Sequence, residues 1–386
     1  MMNNGRWAAI FGNGYNNTGD GTAKLFILFL DGGVDGIWTD GSNGTPLDYL
    51  ELPTQAGSIV NSNCLDPGSN CNGLSSPEAV DLNGDYSVDR VYAGDIKGNL
   101  WVFDVSQTTA GSWFSAYATA GIPTPLFIAG ATQPIMDKPV TVKHPTVTDQ
   151  TTPSNAPNVL VFFGTGQYLI DSDVSTTPST QSFYGVWDHG SSALTPSNLV
   201  EQTFDTTSTF VDAAGNDVTS QVRVLSNNPV DYATQDGWKI NFNLASAPGE
   251  RVVVDPDIRS GLVFFSTWIP DNSPCNSGGT GFLMGLKQDN GGLPDAAAFD
   301  FNGDDSVDAN DLVKDANNVN YAPAGEFFTL GLPASSSFLS DYQYTPGTDS
   351  NSRIDKRRVI GSTPPPGPPG GNPTLPTGRI SWQELR

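Results

Sequence analysis

The chain is poor in the side chains that carry most enzyme chemistry. Among 386 residues there are two histidines, His144 and His189, and three cysteines, Cys64, Cys71 and Cys275. No C-x-x-C pair occurs, which argues against a zinc site of the Cys/His type. G-x-S-x-G, H-E-x-x-H and the P-loop lysine motif are all missing, so no familiar hydrolase, zincin or phosphate-loop signature is present. "GNGYNN" and "GTGQYL" lack the third glycine of a nucleotide loop and open no helix; both read as strand-end turns. Carboxylates abound, but their order in the chain does not show which are close in space, so a glycosidase has no positive support. We expect no enzyme. Basic residues are scarce as well: 18 Lys and Arg stand against 41 Asp and Glu, for a net charge of −23. That balance argues against nucleic acid and anionic lipid as partners. It fits a secreted protein that binds divalent cations, with solubility as the plainer reading of most of the acids. No run of eighteen apolar residues exists, so no helix is expected to span a membrane. The opening "MMNNGRWAAIFGNG" has no basic region, apolar core and cleavage site. It reads as a strand already under way, and we expect an N-terminally truncated domain whose export signal lies outside this chain.

What the chain does have is turns and short apolar runs. Gly (42) and Pro (29) are plentiful, and runs of strand length rich in Val, Ile, Phe, Tyr and Trp end in Gly/Asp turns. The class is all-β. Four consecutive runs between 237 and 292 have the content of one propeller blade, and residues 124–190 read likewise as "PLFIAG", "KPVTVKH", "NVLVFFGTG" and "SFYGVWD". "IFGNG", "YAGD", "FFGTG" and "FFST" occupy one place in that scheme, a weak repeat with uneven spacing. The expectation is a modified β-propeller of four or five antiparallel four-stranded blades with long insertions, filling residues 1–361. Cys64 and Cys71 flank the turn-rich "LDPGSN", which suits a small loop disulfide and leaves Cys275 over. "STPPPGPPGGNPTLPTG" (362–378) reads as an extended linker, and 379–386, with "RISWQEL", as a terminal strand docked on the propeller.

Two loops carry the candidate chemistry. In "DLNGDYSVD" the donors Asp81, Asn83, Asp85 and Asp89 fall at positions 1, 3, 5 and 9, with the Ser87 carbonyl at 7. Calcium takes six to eight hard oxygens, and alternate residues of a tight loop aim them inward. Val88 can anchor the loop in the core. The EF-hand glycine of position 6 is replaced by Tyr86, which tolerates positive φ poorly, and position 12 is Tyr92, so the chain enters a strand instead of a helix. In "DFNGDDSVDAND" the donors Asp300, Asn302, Asp304, Ser306 and Asp308 repeat the pattern, and Asp311 supplies position 12. Its spacing resembles the dockerin type of calcium loop, and "ANDLVKDA" is able to start a short helix. The two loops share seven of nine positions. The competing reading is a cluster of Asx turns bonded to their own backbone. Against it stands the repulsion of three carboxylates in one small loop, which a cation relieves. Magnesium fits less well, because it keeps its waters and a strict octahedron.

Taken in order, "WAAIFGNGYN", "DLNGDYSVDRVYAGDIKGNLWVFDV", "VLVFFGTGQYL", "QSFYGVWD", "GERVVVDP" and "RISWQEL" resemble the C-terminal β-propeller of the PilC/PilY family of type IV pilus biogenesis and tip-adhesin proteins. The "YAGDxxGNLWxFD" block is the specific part. The resemblance implies a propeller outside the cell, at the pilus tip or outer membrane. It implies that calcium in the loop before "YAGD", held by Asp81, Asn83, Asp85, the Ser87 carbonyl and Asp89, regulates pilus extension against retraction. Twitching motility and adhesion to a host or abiotic surface would follow, with minor pilins as partners. The long N-terminal half of the family, which carries the variable adhesive region, is not in this chain, and no Arg-Gly-Asp triplet occurs. Two other readings stay open: a quinone-dependent dehydrogenase, whose repeats "GDIKGNLWVFD" also resembles, and a calcium-stabilised surface protein that binds or hydrolyses carbohydrate.

Overall fold

A computed structural model of the chain describes residues 1–15, 19–61, 64, 68–145, 157–170, 173–174, 178–271, 278–349 and 353–360. Cys275, the Pro-rich stretch and the terminal "RISWQEL" lie outside the described residues.

Among the described residues, five sheets of three or more strands follow one another along the chain, antiparallel except for one added parallel strand. The first has three strands, Ala8–Gly12, Thr22–Phe29 and Tyr49–Gly57. The second runs in chain order through Glu78–Val80, Arg90–Gly94, Asn99–Asp104 and Phe127–Ile128. The third uses Val140–Lys143, Val159–Gly164, Gln181–Asp188 and Gly237–Phe242, with Val200–Gln202 added in parallel outside. The fourth uses Asp257–Arg259, Leu262–Pro270, Gly279–Lys287 and Gly325–Phe328, extended by Val222–Arg223. The fifth has Ser337–Leu339, Tyr342–Pro346 and Ile354–Arg358. This is the expected β-propeller architecture of successive small meandering sheets.

The middle strands read as unbroken apolar runs because both faces of each sheet are buried. In Val159–Gly164, Val159, Val161 and Phe163 pack toward the second sheet with Tyr92, Leu100 and Val102. Leu160 and Phe162 pack the other way, with Val263, Phe265 and Met284 of the fourth. The second sheet splits likewise: Val91, Ala93 and Phe103 meet Leu25, Ile27 and Phe29 of the first. Alternation therefore distributes one strand between two cores. Each such side chain contributes about 1.5–3 kcal/mol of burial, and the sum holds neighbouring sheets face to face.

The recurrent strand-end glycine has a steric cause. A Cβ on Gly12, Gly94 or Gly164 would collide with Leu74 and Ser75, Ile135 or Val252, in the connections that lead into the following sheet. The block "GDIKGNLW" is a lock of the same junction. Asp95 is wholly buried and accepts from the Lys97 and Asn99 amides (both 2.9 Å), from Asn72 and Asn99 Nδ2 and from Trp101 Nε1 (each 2.8 Å).

Blade boundaries differ from expectation. Phe127–Ile128 pairs with Asn99–Asp104, and Gly237–Phe242 with Gln181–Asp188. Each run read as opening a blade is instead the last strand, in chain order, of the sheet before. "ERVVVDPDI" is also broken: Arg251 makes an isolated bridge to Trp268, and only Asp257–Arg259 forms a strand there. The Cys64–Cys71 disulfide is present, with Cα atoms 5.6 Å apart.

Candidate metal centre

The loop 81–89 is the hairpin between the first two strands of the second sheet, closed by the Asp89 amide on the Val80 carbonyl at 2.8 Å. Its conformation comes from its own polar side chains. Asp81 Oδ1 accepts the Asn83 and Gly84 amides at 3.2 and 2.7 Å, and Oδ2 accepts that of Tyr86 at 2.7 Å. Asn83 Oδ1 accepts the Asp85 amide and Asp85 Oδ1 the Ser87 amide, both at 2.8 Å. Gly84 and Tyr86 sit at φ 82° and 70°. Position 6 thus takes the left-handed turn although it is a tyrosine, at a cost of about 1–2 kcal/mol. Val88 anchors the loop in the core between the first two sheets.

Asp89 closes the loop from inside. Its Oδ2 accepts the Leu82 amide at 2.9 Å and its Oδ1 the Asn3 amide group at 3.2 Å. Burial raises its carboxyl above the ordinary range, and the charges of Asp85 and Asp81 push the same way. Asn3 also donates to the Val88 carbonyl at 2.7 Å. Nothing in the sequence signals this brace, since Asn3 and Asp89 are 86 residues apart.

The second loop lies in the long connection between the last two main strands of the fourth sheet and repeats the design. Asp300 Oδ1 accepts the Gly303 and Asp304 amides at 2.8 and 3.1 Å, and its Oδ2 that of Asp305 at 2.9 Å. Asn302 Oδ1 takes the Asp304 amide and Asp304 Oδ1 the Ser306 amide. Gly303 and Asp305 repeat the left-handed positions at φ 76° and 65°. Asp308 caps a single 3-10 turn, Ala309–Asp311, and the chain goes on into a strand, Val313–Lys314, in place of the expected short helix. Asp311 is wholly buried and accepts three amides, those of Phe301 (2.8 Å), Asn302 (3.1 Å) and Asp308 (2.8 Å). Burial, then the charge of Asp300, raises its carboxyl. Outside the loop, Tyr342 Oη donates to Asp305 Oδ1 at 2.8 Å and Arg358 Nη1 to the Asp305 carbonyl at 2.7 Å, which ties the loop to the fifth sheet.

In each loop the Asp and Asn side chains at positions 1, 3 and 5 accept backbone amides of the same turn, as the Asx-turn reading expects. Among the described residues no three His, Cys, Asp or Glu side chains converge as a metal-holding group. The donor chemistry still fits a hard cation. A carboxylate has about four acceptor sites; Asp85 uses one within the described residues and Asp304 two. Asp311 has three of its sites taken by amides and so also ties the loop internally.

Downstream of the first loop, two pieces of the sequence pattern meet. Tyr92 Oη donates to Asp188 Oδ2 at 2.7 Å, Tyr117 Oη donates to Asp188 Oδ1, and Arg90 lies 4.0 Å from the same carboxylate. Asp188 is fully buried, and burial raises its carboxyl. The loop's exit strand is thus fastened to the third sheet.

Residues 36–217 match the PilY1 beta-propeller domain. A PilY1 homolog, a type IV pilus biogenesis factor of Xylella fastidiosa, is 31% identical over 307 residues, covering 75% of this chain and 18% of that protein. Type IV pilus biogenesis factor PilY1 of Pseudomonas aeruginosa is 29% identical over 334 residues, covering 78% and 25%. The chain thus spans a quarter or less of the length of these relatives. The crystal structure of the Pseudomonas aeruginosa PilY1 C-terminal domain superimposes with a TM-score of 0.68 at 25% identity, over 93% of this chain and 70% of that one. In sequence and in fold alike, the chain belongs to the PilC/PilY family.

Proposed function

We propose that the chain is the calcium-binding propeller module of a type IV pilus biogenesis factor, acting at the cell surface with minor pilins at the pilus tip. In this role it would favour pilus extension over retraction and so support twitching motility and adhesion. The observation that supports it is the hairpin loop 81–89, whose hard oxygens are gathered in one turn and whose exit strand is fastened to Asp188. Calcium, when bound, supplies the positive charge that offsets the mutual repulsion of the loop carboxylates. The chain's own residues do the rest. Asp81, Asn83, Asp85, the Ser87 carbonyl and Asp89 would hold the ion, and Arg90 and Tyr92 carry the loop's position to the junction of the second and third sheets. The second loop, through Asp300, Asn302, Asp304, Ser306, Asp308 and Asp311, would hold a second ion against the fifth sheet. The relatives are named for pilus biogenesis and for no reaction, which favours this reading over a dehydrogenase. Calorimetric titration of chelator-treated protein should show two sites, one lost in Asp85→Ala and one in Asp304→Ala. In cells, Asp85→Ala should reduce piliation; normal piliation with the first site destroyed would sink the regulatory role.

A further inference from the structure

The segment 204–224 and strands of the fourth sheet line a cavity of about 580 Å³, within the range of about 300–1,000 Å³ usual for small-molecule sites; its residues Phe210, Val222 and Val224 pack against Phe301 of the second loop. Its apolar wall is made by Phe204, Phe282 and Phe327. Arg223 enters between two of them, its guanidinium 3.7 Å from the ring centre of Phe282 and 5.4 Å from that of Phe204. Glu250, wholly buried, fixes it through Nη2 at 3.2 Å, and Thr267 fixes Glu250 at 2.6 Å. Arg223 Nε is buried with no hydrogen-bond partner among the described residues.

The rim is of the opposite charge. Asp205 Oδ1 accepts the Thr207 and Ser208 amides at 2.8 and 3.0 Å, and Asp217 Oδ1 the Thr219 amide at 3.0 Å. The Thr207 hydroxyl also donates to Asp205 Oδ1, at 3.1 Å, and the Ser208 and Thr219 side chains hydrogen-bond to Asp205 and Asp217; a carboxylate has about four acceptor sites, so both keep capacity for a ligand hydroxyl. Hydrogen bonds, led by those from Ser208, hold the Asp205 carboxyl at about 2, and the Thr219 amide lowers that of Asp217, so both are ionised acceptors.

This set of groups selects its ligand. An anion meets two carboxylates on a chain of net charge −23. A cation meets Arg223. A purely apolar molecule strips water from all three charges and returns no hydrogen bond. A pyranose has a C–H face for the phenylalanine wall and neighbouring hydroxyls that both accept from Arg223 and donate to Asp205 and Asp217. We propose that this cavity binds a neutral sugar, as a single pyranose or the end of a neutral glycan. The reading does not depend on either calcium loop.

The test is saturation-transfer NMR and calorimetry on the full chain. The neutral probes are methyl glucoside, methyl galactoside, methyl mannoside and N-acetylglucosamine; N-acetylneuraminic acid and glucosamine serve as anionic and cationic counterparts. At least one neutral probe should bind, with or without chelator. Asp217→Asn, at an exposed position, should weaken it about tenfold, as expected for a lost charged hydrogen bond. Ser220→Trp, which places an indole at the exposed mouth, should abolish it. Unchanged melting temperatures in both variants keep the result specific. The proposal is overturned by no neutral binding in the millimolar range, by binding of the charged probes alone, or by binding that survives Ser220→Trp.

Discussion

The two acidic loops are nearly the same sequence placed in two different frames. Loop 81–89 bridges the first two strands of one sheet. Among the described residues its supports lie at the exit end: Val88 in the core and bridged to Met2, and the Asn3 brace on Asp89. Loop 300–311 sits in a long connection and carries its own interior: Asp311 is buried and holds three amides. It is also fastened from outside by Tyr342 and Arg358. One motif thus yields a loop that borrows its order from the sheet and another that builds its own. The first should gain most from a cation, because less of its order is fixed beforehand. The second should matter more to the stability of the cation-free fold.

That contrast predicts the largest effect at Asp311. Asp311→Ala leaves three amides without their acceptor and should cost about 3 kcal/mol in denaturant unfolding without calcium. Asp85→Ala removes one exposed acceptor and should cost under about 1 kcal/mol under the same conditions. Equal costs would erase the distinction between the loops. Calcium comes next. At a free concentration 100 times its dissociation constant, a site that binds only the folded state adds about 2.7 kcal/mol. Asp85→Ala should lose that increment while hardly changing the calcium-free midpoint.

A smaller effect separates the loops at position 6. Tyr86 holds a left-handed turn at φ 70°, a conformation that glycine adopts without the Cβ strain, so Tyr86→Gly should raise stability by about 1 kcal/mol. Asp305→Gly relieves less strain, because Asp tolerates this region, and it removes the acceptor of Tyr342. Its net effect should be zero or negative. Thermal unfolding of the two variants decides it, and stabilisation by both would mean that the tie to the fifth sheet carries no weight.

Much of this was legible in the chain, for reasons that differ by feature. The all-β class and the donor positions are local patterns, fixed by alternation and by side chains that bond amides two to five residues on. The strand-end glycines were visible as a repeat, though their cause, the connection into the next sheet, is not local. Blade boundaries were misread because "PLFIAG" and "WKINFNL" have the same apolar pattern whether they open a sheet or close one. Only pairing with Leu100 or with Phe183 and its neighbours decides that. The brace of Asn3 on Asp89 and the tie of Tyr342 to Asp305 lie beyond sequence for the same reason: both join residues far apart along the chain. The spacing of Asp311 marks it as a loop donor, but its three amide bonds inside the loop are set by burial, which spacing does not show.

The smallest prediction concerns pH and acts on both loops at once. Burial raises the carboxyls of Asp89 and Asp311 above the ordinary value of 3.8. A carboxyl raised on folding binds its proton more readily in the folded than in the unfolded chain. The stability it contributes is present at low pH and is lost as pH rises from 3.8 through the raised value. His144 works against this: burial, then His189, lowers it to about 4, so stability falls as pH drops from about 6.5 toward that value. The raw pH profile therefore mixes opposing slopes, and the informative quantity is the difference between Asp311→Asn and the parent chain. The variant should lose part of the decline in stability with rising pH seen in the parent, while Asp89→Asn should do the same only without calcium, because the ion takes over the role of the proton among Asp81, Asp85 and Asp89. A calcium-independent slope in Asp89→Asn would show that the first loop, like the second, is ordered without the ion.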